Sequence, residues 1–221
     1  MRIAFLLPLN WFSGGILVVL HQARALLKNG HDVTLVFSRF DAERKLAGFP
    51  DPGFKCFSLA EVRQRALSFD LAVATWWETF FELFDLQAEA YAYFIQSDER
   101  RFYGKEEHAR RSLVQFSYEF GRTGIVTEAL WLKHELEKSF GLKVEHAPNG
   151  VDTELFSPSI DPLEPRGDRF RILIEGPGSV PYKRIGDAFR AAQALKGAEI
   201  WYVCSDGVVK REWKPDRVFS G

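Results

Sequence analysis

The sequence predicts an α/β protein: a Rossmann-like domain built on a parallel sheet with helices on both faces, followed by part of a second domain of the same kind. Three observations predict this class. Strand-like and helix-like segments alternate from the first residues. The strand-like segments are almost continuously apolar, which is typical of parallel strands covered on both faces. A turn-rich segment then interrupts the alternation, and the alternation resumes after it.

The first predicted elements are a strand over Ile3–Pro8 and a helix over Ile16–Lys28, joined by the turn Ser13-Gly14-Gly15. The apolar residues of this helix recur at helical spacing, and Asn29-Gly30 tolerate the left-handed backbone that commonly ends a helix. The further predicted strands of this domain are His31–Phe37, Asp70–Thr75, Tyr91–Gln96, Thr123–Thr127 and Lys143–His146, and its further helices are Lys105–Phe120 and Ala129–Phe140.

Turn residues and prolines divide the chain into a first domain over residues 1–157, a linker over 158–168, and the beginning of a second domain over 169–221. The predicted elements of the second domain are strands over Arg171–Ile174, Glu199–Cys204 and Arg217–Phe219, and a helix over Ile185–Leu195. So few elements cannot bury a full core of their own, so we expect this domain to be incomplete in these 221 residues.

The composition excludes several classes of protein. With 29 basic and 30 acidic residues the net charge is -1, which argues against the basic field of a nucleic-acid binder. No apolar run approaches the roughly eighteen residues of a membrane span. Cys56 and Cys204 lie far apart, and the five histidines show no ligand spacing, so we expect reduced cysteines, no metal and a cytoplasmic protein.

Two glycine-containing turns are candidate phosphate sites. Gly14 and Gly15 lie between a strand and a helix, where backbone can approach an anion closely, although a plain tight turn remains open. The three-glycine dinucleotide fingerprint is absent, which disfavours a nicotinamide cofactor. Gly176 similarly precedes Lys183 and Arg184 at a helix start, where the helix dipole prefers anions. These two cations fit a bound diphosphate, and the open alternative is a solvated Lys–Arg pair.

A burst of polar residues follows the predicted strand Tyr91–Gln96. Asp98 and Glu99 could act as acid or base or bind sugar hydroxyls, and Arg100 and Arg101 could bind carboxylate or phosphate. An exposed loop of self-compensating charges is the open alternative. Trp76 and Trp77 follow the strand Asp70–Thr75, and their faces suit either sugar stacking or a core.

These motifs occur in the same order as in a known family. With the segment Ala147–Phe156, which reads APNGVDTELF, the two glycine turns resemble those of the family 4 glycosyltransferases of GT-B fold. Tyr91–Gly104 and Val144–Phe156 look like a branch that includes bacterial rhamnosyltransferases. The resemblance covers nearly the whole chain. It departs from the family at Pro177, where an arginine is usual, and at Gln96, near which many members carry histidine.

The resemblance implies a retaining, metal-independent hexosyltransferase that needs no cofactor. It implies transfer from a nucleotide-diphosphate sugar, bound by the second domain, to a glycan or lipid-linked saccharide, bound by the first, in cell-surface polysaccharide synthesis. A peripheral contact with the inner face of the membrane stays open. The paired-glutamate motif of the family is expected beyond residue 221, so we expect this chain alone to be inactive. A non-catalytic glycan- or nucleotide-binding module and a sugar-nucleotide epimerase remain as alternatives.

The resemblance and the residues together give the candidate site. Donor contacts are predicted for Gly14, Gly15, Gly176, Lys183 and Arg184, with Arg184 replacing the cation missing at position 177. Acceptor or sugar contacts are predicted for Trp76, Gln96, Asp98, Glu99, Tyr103 and Asn149. No residue is assigned as a catalytic base, because retaining transfer in this family uses the leaving phosphate. The aromatic residues Trp11, Phe12, Trp76, Trp77 and Tyr103 favour an acceptor in the first domain.

Overall fold

A computed structural model describes residues 1–10, 13–39, 53–153, 156–162, 164–165 and 167–220. The chain divides into two compact units, Met1–Val151 and Asp152–Gly221. Of the residues singled out from the sequence, Trp11 and Phe12 lie outside the described residues, as do positions 154 and 155 of the APNGVDTELF segment.

The first unit contains a seven-stranded sheet in which every neighbouring pair of strands is parallel. The strands are β1 (Arg2–Leu9), β2 (Asp32–Arg39), β3 (Lys55–Ser58), β4 (Ser68–Ala74), β5 (Gln87–Ile95), β6 (Gly124–Thr127) and β7 (Val144–His146), in the order β3-β2-β1-β4-β5-β6-β7. The helices are α1 (Gly14–Lys28), α2 (Leu59–Gln64), α3 (Trp77–Glu82), α4 (His108–Glu119) and α5 (Leu130–Phe140). Short 3₁₀ turns occupy Leu83–Asp85 and Glu99–Phe102.

Alternate residues of β1 show why the sheet has helices on both faces. Phe5 packs in one apolar cluster with Val19 and Leu20 of α1, whereas Leu6 packs in another with residues of α3, α4 and α5 such as Phe80. Successive side chains of a strand point to opposite faces, so a strand that is apolar throughout needs cover on each face. The predicted α/β class is therefore confirmed.

The second unit contains a three-stranded parallel sheet, in the order β10-β9-β8. Its elements are β8 (Arg171–Glu175), α6 (Ile185–Gln193), β9 (Glu199–Cys204) and β10 (Arg217–Ser220), with a 3₁₀ turn over Pro181–Lys183. Its core is aromatic: Phe189 stacks on Trp213 at 5.0 Å between ring centroids, and both rings meet Tyr202 edge to face.

The structure contains three short elements of the first unit that the sequence did not predict: β3, α2 and α3. Each has four to six residues, too few to display a period. The predicted helix Lys105–Phe120 begins three residues later, at His108, because Gly104 N–H donates to Glu107 Oε2 in a preceding turn. Among the described residues no helix has the length and apolarity that crossing a membrane requires.

Candidate functional site

The carboxyl edge of the larger sheet gathers most of the predicted site. The chain leaves β1 toward β2 and β3 and then returns to β4 on the other side, so the strand order reverses between β1 and β4. Ligands of open α/β sheets bind outside the carboxyl ends of strands at such a switch point. Gly14 and Gly15 follow β1, Trp76 follows β4, Gln96 follows β5, and Asn149 lies just beyond β7.

The start of α1 is open to a ligand and lies against Gln96. The Ser13 hydroxyl caps the helix by accepting from Ile16 N–H at 3.3 Å, and Gly14 and Gly15 are exposed. A Cβ on Gly15 would lie 3.5 Å from Gln96 Oε1 and 3.6 Å from Gln96 Nε2. Within the described part of the chain the Gln96 amide has no hydrogen-bond partner. The structure thus brings a predicted donor residue and a predicted sugar-binding residue together.

Asp98 is 4 % exposed and binds two arginines. Arg100 Nε donates to Oδ1 at 2.8 Å, Arg100 Nη2 donates to Oδ2 at 3.1 Å, and Arg101 Nε donates to Oδ2 at 3.1 Å. Burial opposes ionisation of Asp98, but the hydrogen bonds and charge of Arg100, with the charge of Arg101, outweigh it and lower the pKa of this carboxyl. Asp98 is therefore an ionised anchor for the loop after β5.

Glu99 is 1 % exposed and lies in a hydrogen-bonded network beneath the same loop. Its Oε2 accepts from Trp77 N–H at 2.9 Å and from the Tyr93 hydroxyl at 3.0 Å, and its own N–H donates to the Tyr118 hydroxyl at 2.9 Å. Burial raises the pKa of Glu99 to about 8. Protein groups therefore enclose both carboxyls, for which the sequence predicted contacts with a sugar. The exposed-loop alternative fails for the same reason.

Aromatic side chains cover the edge near this network. Trp76 stacks on Phe102 with ring centroids 5.7 Å apart and planes at 24°. Trp77, in contrast, is 6 % exposed and donates from Nε1 to the Tyr103 hydroxyl at 2.8 Å, so it belongs to the core. Trp76 and Tyr103 are partly exposed, at the positions where the sequence predicted sugar contacts.

Glu128 is a candidate site residue that the sequence reasoning missed. It directly follows β6, and its Oε2 is buried without a hydrogen-bond partner among the residues that the structure describes. Burial raises the pKa of Glu128, which a hydrogen bond with the Asn149 side chain partly opposes. A buried acceptor atom with no donor is a place for a ligand hydroxyl. The sequence feature that could have identified Glu128 is the one used for the loop after β5: an acidic residue immediately after a predicted strand.

The loop after β8 is shaped by its glycines and by Asp206. Gly176 has φ 138°, in a region that favours glycine, and a Cβ there would lie 2.9 Å from Ile185 Cδ1. A Cβ on Gly178 would overlap the carbonyl oxygen of Val208. Asp206 accepts from Gly178 N–H at 2.9 Å and from Ser179 N–H at 2.8 Å. These two amides are therefore occupied by a protein carboxylate, whose pKa the Ser179 hydrogen bonds hold well below its usual value.

Lys183 and Arg184 differ in their surroundings. Within the described residues the Lys183 side chain makes no hydrogen bond or ion pair, and it is exposed. The Arg184 guanidinium pairs with Asp187, which also pairs with Arg190. The sequence predicts that Arg184 replaces the cation missing at position 177, and in the structure its guanidinium already has Asp187 as a partner. An open pocket of about 220 Å³ lies beside the loop, and Arg184, Arg190 and Lys210 line it.

No protein-family model and no curated protein matches the sequence. Solved structures do match. HepE from Anabaena in complex with UDP-glucose is 14% identical, with TM-score 0.66 over 96% of this chain and 62% of its own. Sucrose-phosphate synthase from Thermosynechococcus elongatus is 14% identical, with TM-score 0.76 over 100% of this chain and 70% of its own.

The glycotransferase of kitacinnamycin is 12% identical, with TM-score 0.55 over 100% of this chain and 70% of its own. At these identities the likeness shows the fold, and it confirms the α/β class of GT-B type that the sequence predicted. The chain spans less than two thirds of the length of HepE.

Proposed function

We propose that this chain is part of a glycosyltransferase that takes its sugar from a nucleoside diphosphate sugar such as UDP-glucose. One observation carries the proposal: the exposed glycine start of α1 lies against the Gln96 amide, which has no hydrogen-bond partner among the described residues, at the switch point of the sheet. The fold is shared with HepE, whose structure contains UDP-glucose, and this likeness supports the donor class.

The donor contacts proposed in the first unit are Gly14 and Gly15, and those proposed in the second unit are Gly176 and Lys183. Backbone N–H groups at a helix start attract a phosphate, and the absence of side chains at the two glycines lets it approach. The exposed ammonium of Lys183 would neutralise the charge that develops on the departing diphosphate. This chemistry requires no metal and no other cofactor. We propose that transfer retains the anomeric configuration of the donor sugar.

The proposed acceptor contacts lie at the carboxyl edge of the larger sheet. They are Trp76, Gln96, Tyr103, Asn149 and Glu128. The buried Oε2 of Glu128 could accept a hydrogen bond from a ligand hydroxyl. The sequence motifs support a family 4 enzyme of the rhamnosyltransferase-like branch. On that basis we propose a hexosyltransferase that acts on a glycan or lipid-linked saccharide in cell-surface polysaccharide synthesis, at the cytoplasmic side of the membrane.

One observation favours a second candidate, a nucleotide-binding module without catalysis. Pro177 stands where the resembling family carries an arginine, and Arg184 pairs with Asp187 instead of projecting alone. Among the predicted donor residues, Lys183 would then be the cation left for a diphosphate. One cation could bind the diphosphate without stabilising the charge that develops on it as a leaving group.

The donor site is tested by titrating UDP-glucose, UDP and free glucose into the 221-residue chain by ligand-observed NMR. We expect UDP and UDP-glucose to bind and glucose to bind far more weakly. Gly15→Asp should reduce UDP-glucose affinity at least tenfold, since its carboxylate repels phosphate while suiting the helix start. Gly167→Asp, at an exposed linker glycine with no atom within 4 Å of its Cβ position, is the matched control. Equal losses in both variants would overturn the proposed donor site.

Transfer is tested separately from binding. Because this chain alone is expected to be inactive, transfer is assayed with a longer protein that includes the paired-glutamate motif expected beyond residue 221. If that protein binds UDP-glucose through Gly15 but yields no glycoside or UDP with any offered saccharide, the binding module is favoured. UDP released only in the presence of a saccharide, together with a new glycoside, would favour the transferase.

A further inference from the structure

We infer that the carboxyl edge of the larger sheet contains a subsite for an anionic group, a carboxylate or a phosphate, borne on a saccharide ring. Arg101 would bind the anion, while Phe102 and Trp131 would contact the ring. This inference rests on the proposed function, because it names the chemical class of the acceptor. We refer to Trp76, Arg101, Phe102 and Trp131 together as the edge platform.

Arg101 is an exposed cation whose position is fixed from below. Its Nε donates to Asp98 Oδ2 at 3.1 Å, and Asp98 is itself anchored by two hydrogen bonds from Arg100. The Arg101 side chain is nevertheless 64% exposed. Among the described residues, its terminal nitrogens have no hydrogen-bond partner. A guanidinium offers a flat fork of donors that matches carboxylate and phosphate, and here the fork is held in place before a ligand arrives.

The loop after β5 has more positive charge than its carboxylate neutralises. Asp98 carries one negative charge and binds both Arg100 and Arg101. Arg111 adds a cation that donates to two carbonyl oxygens, those of Arg100 at 3.0 Å and Tyr103 at 3.2 Å. Of the acids on neighbouring elements, Glu107 pairs with Arg110, and Glu135 accepts from Ser139 and adds one negative charge that acts on Arg100. The positive charge of Arg101 is therefore only partly neutralised by Asp98 and is available to bind an anion.

The aromatic members of the edge platform form two contacts: Trp131 lies beside Arg101, and Phe102 stacks on Trp76. The Arg101 guanidinium lies 5.4 Å from the centroid of the Trp131 ring, and Trp131 is 50% exposed. Phe102 is 39% exposed and stacks on Trp76. These residues follow β4, β5 and β6, so the platform extends across three strand ends. Flat aromatic faces pack against the apolar face of a sugar ring.

A comparison within the chain separates this arrangement from an ordinary surface contact. Arg65 also lies over an aromatic ring, Phe57, at 4.9 Å, and is 56% exposed. Its ion-pair partner Glu61, however, is partly exposed, and among the described residues no second aromatic ring packs on Phe57. Arg65 therefore provides a matched control: an exposed arginine over a ring, away from the carboxyl edge of the sheet.

The test titrates glucose, glucose 6-phosphate and glucuronate into the 221-residue chain by ligand-observed NMR. We expect the two anionic sugars to bind at least tenfold more tightly than glucose. Arg101→Gln should remove this preference and leave glucose binding within about twofold, whereas Trp131→Ala should weaken all three sugars. Arg65→Gln should change none of them. Tighter binding of glucose 6-phosphate alone would assign the subsite to phosphate, and of glucuronate alone to carboxylate.

Equal affinity for all three sugars, or an equal loss in Arg101→Gln and Arg65→Gln, would overturn the inference. Thermal unfolding of each variant checks that the fold is intact, and Arg101→Lys, which keeps the charge but not the fork, should retain part of the preference. UDP-glucose binding, measured in the same samples, keeps the two proposals distinct. Intact UDP-glucose binding without an anion preference defeats the subsite alone. An anion preference without UDP-glucose binding defeats the donor proposal alone.

Discussion

The loops after β5 and after β8 share a pair of adjacent cations, but they are built differently. Each follows a parallel strand and carries two adjacent cations, Arg100-Arg101 in the first and Lys183-Arg184 in the second. In the first pair both arginines bind Asp98, whereas in the second pair only Arg184 has an ion-pair partner among the described residues. Arg100 is 20% exposed on the buried Asp98, whereas Arg184 is 72% exposed and pairs with a partly exposed Asp187.

The loops differ in how deeply the acidic residues that hold them are buried. Beneath the first loop lie Asp98 and Glu99, both nearly inaccessible to water and hydrogen-bonded to several groups. The second loop is held by Asp206, which bonds exposed backbone amides. Buried networks are costly to disrupt, and exposed ion pairs contribute little. A pair of adjacent charges in a sequence thus does not reveal which charge is structural and which is available to a ligand.

The strongest test of this contrast is the pH dependence of stability through Glu99. Its pKa is about 8 in the folded chain and near 4.5 unfolded, so the folded state holds a proton that the unfolded state releases. Stability should therefore fall as pH rises from about 5 to 7, by up to about 1.4 kcal/mol per pH unit from this group. Urea unfolding of the wild type and Glu99→Gln across this range measures the effect.

Glu99→Gln should remove that part of the slope, since its amide does not ionise. The variant would then gain stability relative to the wild type as pH rises. Parallel curves for the two proteins would show that Glu99 titrates normally and that the network is open to water.

A second test removes the Glu99 side chain at pH 6, where the carboxyl is mainly protonated. Glu99→Ala leaves the Trp77 N–H and the Tyr93 hydroxyl without their buried acceptor. We expect a loss of about 2 kcal/mol in the free energy of unfolding. Glu145→Ala, at a 69% exposed side chain, is the control and should stay within about 0.5 kcal/mol of the wild type. Comparable losses in both would remove the distinction between the loops.

The matching change in the second loop is Asp206→Ala. We expect a smaller loss of stability than for Glu99→Ala, because the amides of Gly178 and Ser179 can bond to water once the carboxylate is gone. The pKa of Asp206 is depressed, so its contribution is present at neutral pH and disappears as the solution is acidified below the usual pKa of an aspartate. Unfolding curves at pH 7 compare the two alanine variants directly. A larger loss for Asp206→Ala would reverse the assignment of deep and shallow anchors.

The sequence predicted the sheet well because long apolar strands and periodic helices such as Ile16–Lys28 have strong local signals. It also placed Gly15 and Gln96 at strand ends, and parallel strands bring such residues to one edge. It could not predict that Glu99 turns inward, since that depends on Tyr93, Trp77 and Tyr118 meeting in three dimensions. Glu128 was missed because one acidic residue after a strand is no different from a surface glutamate.

The smallest expected effect compares the adjacent cations of the second loop. Lys183→Gln should weaken UDP-glucose binding about fivefold to tenfold, because an exposed ammonium without a protein partner is available to the diphosphate. Arg184→Gln should change the affinity less than twofold, since the Arg184 guanidinium already pairs with Asp187. Lys196→Gln, at an exposed lysine after α6, is the control for lost charge. Titrations at two salt concentrations sharpen the comparison, because added salt should reduce the effect of Lys183→Gln. A greater loss for Arg184→Gln than for Lys183→Gln would exchange their roles, making Arg184 the ligand-binding cation and its pair with Asp187 a contact that the donor displaces.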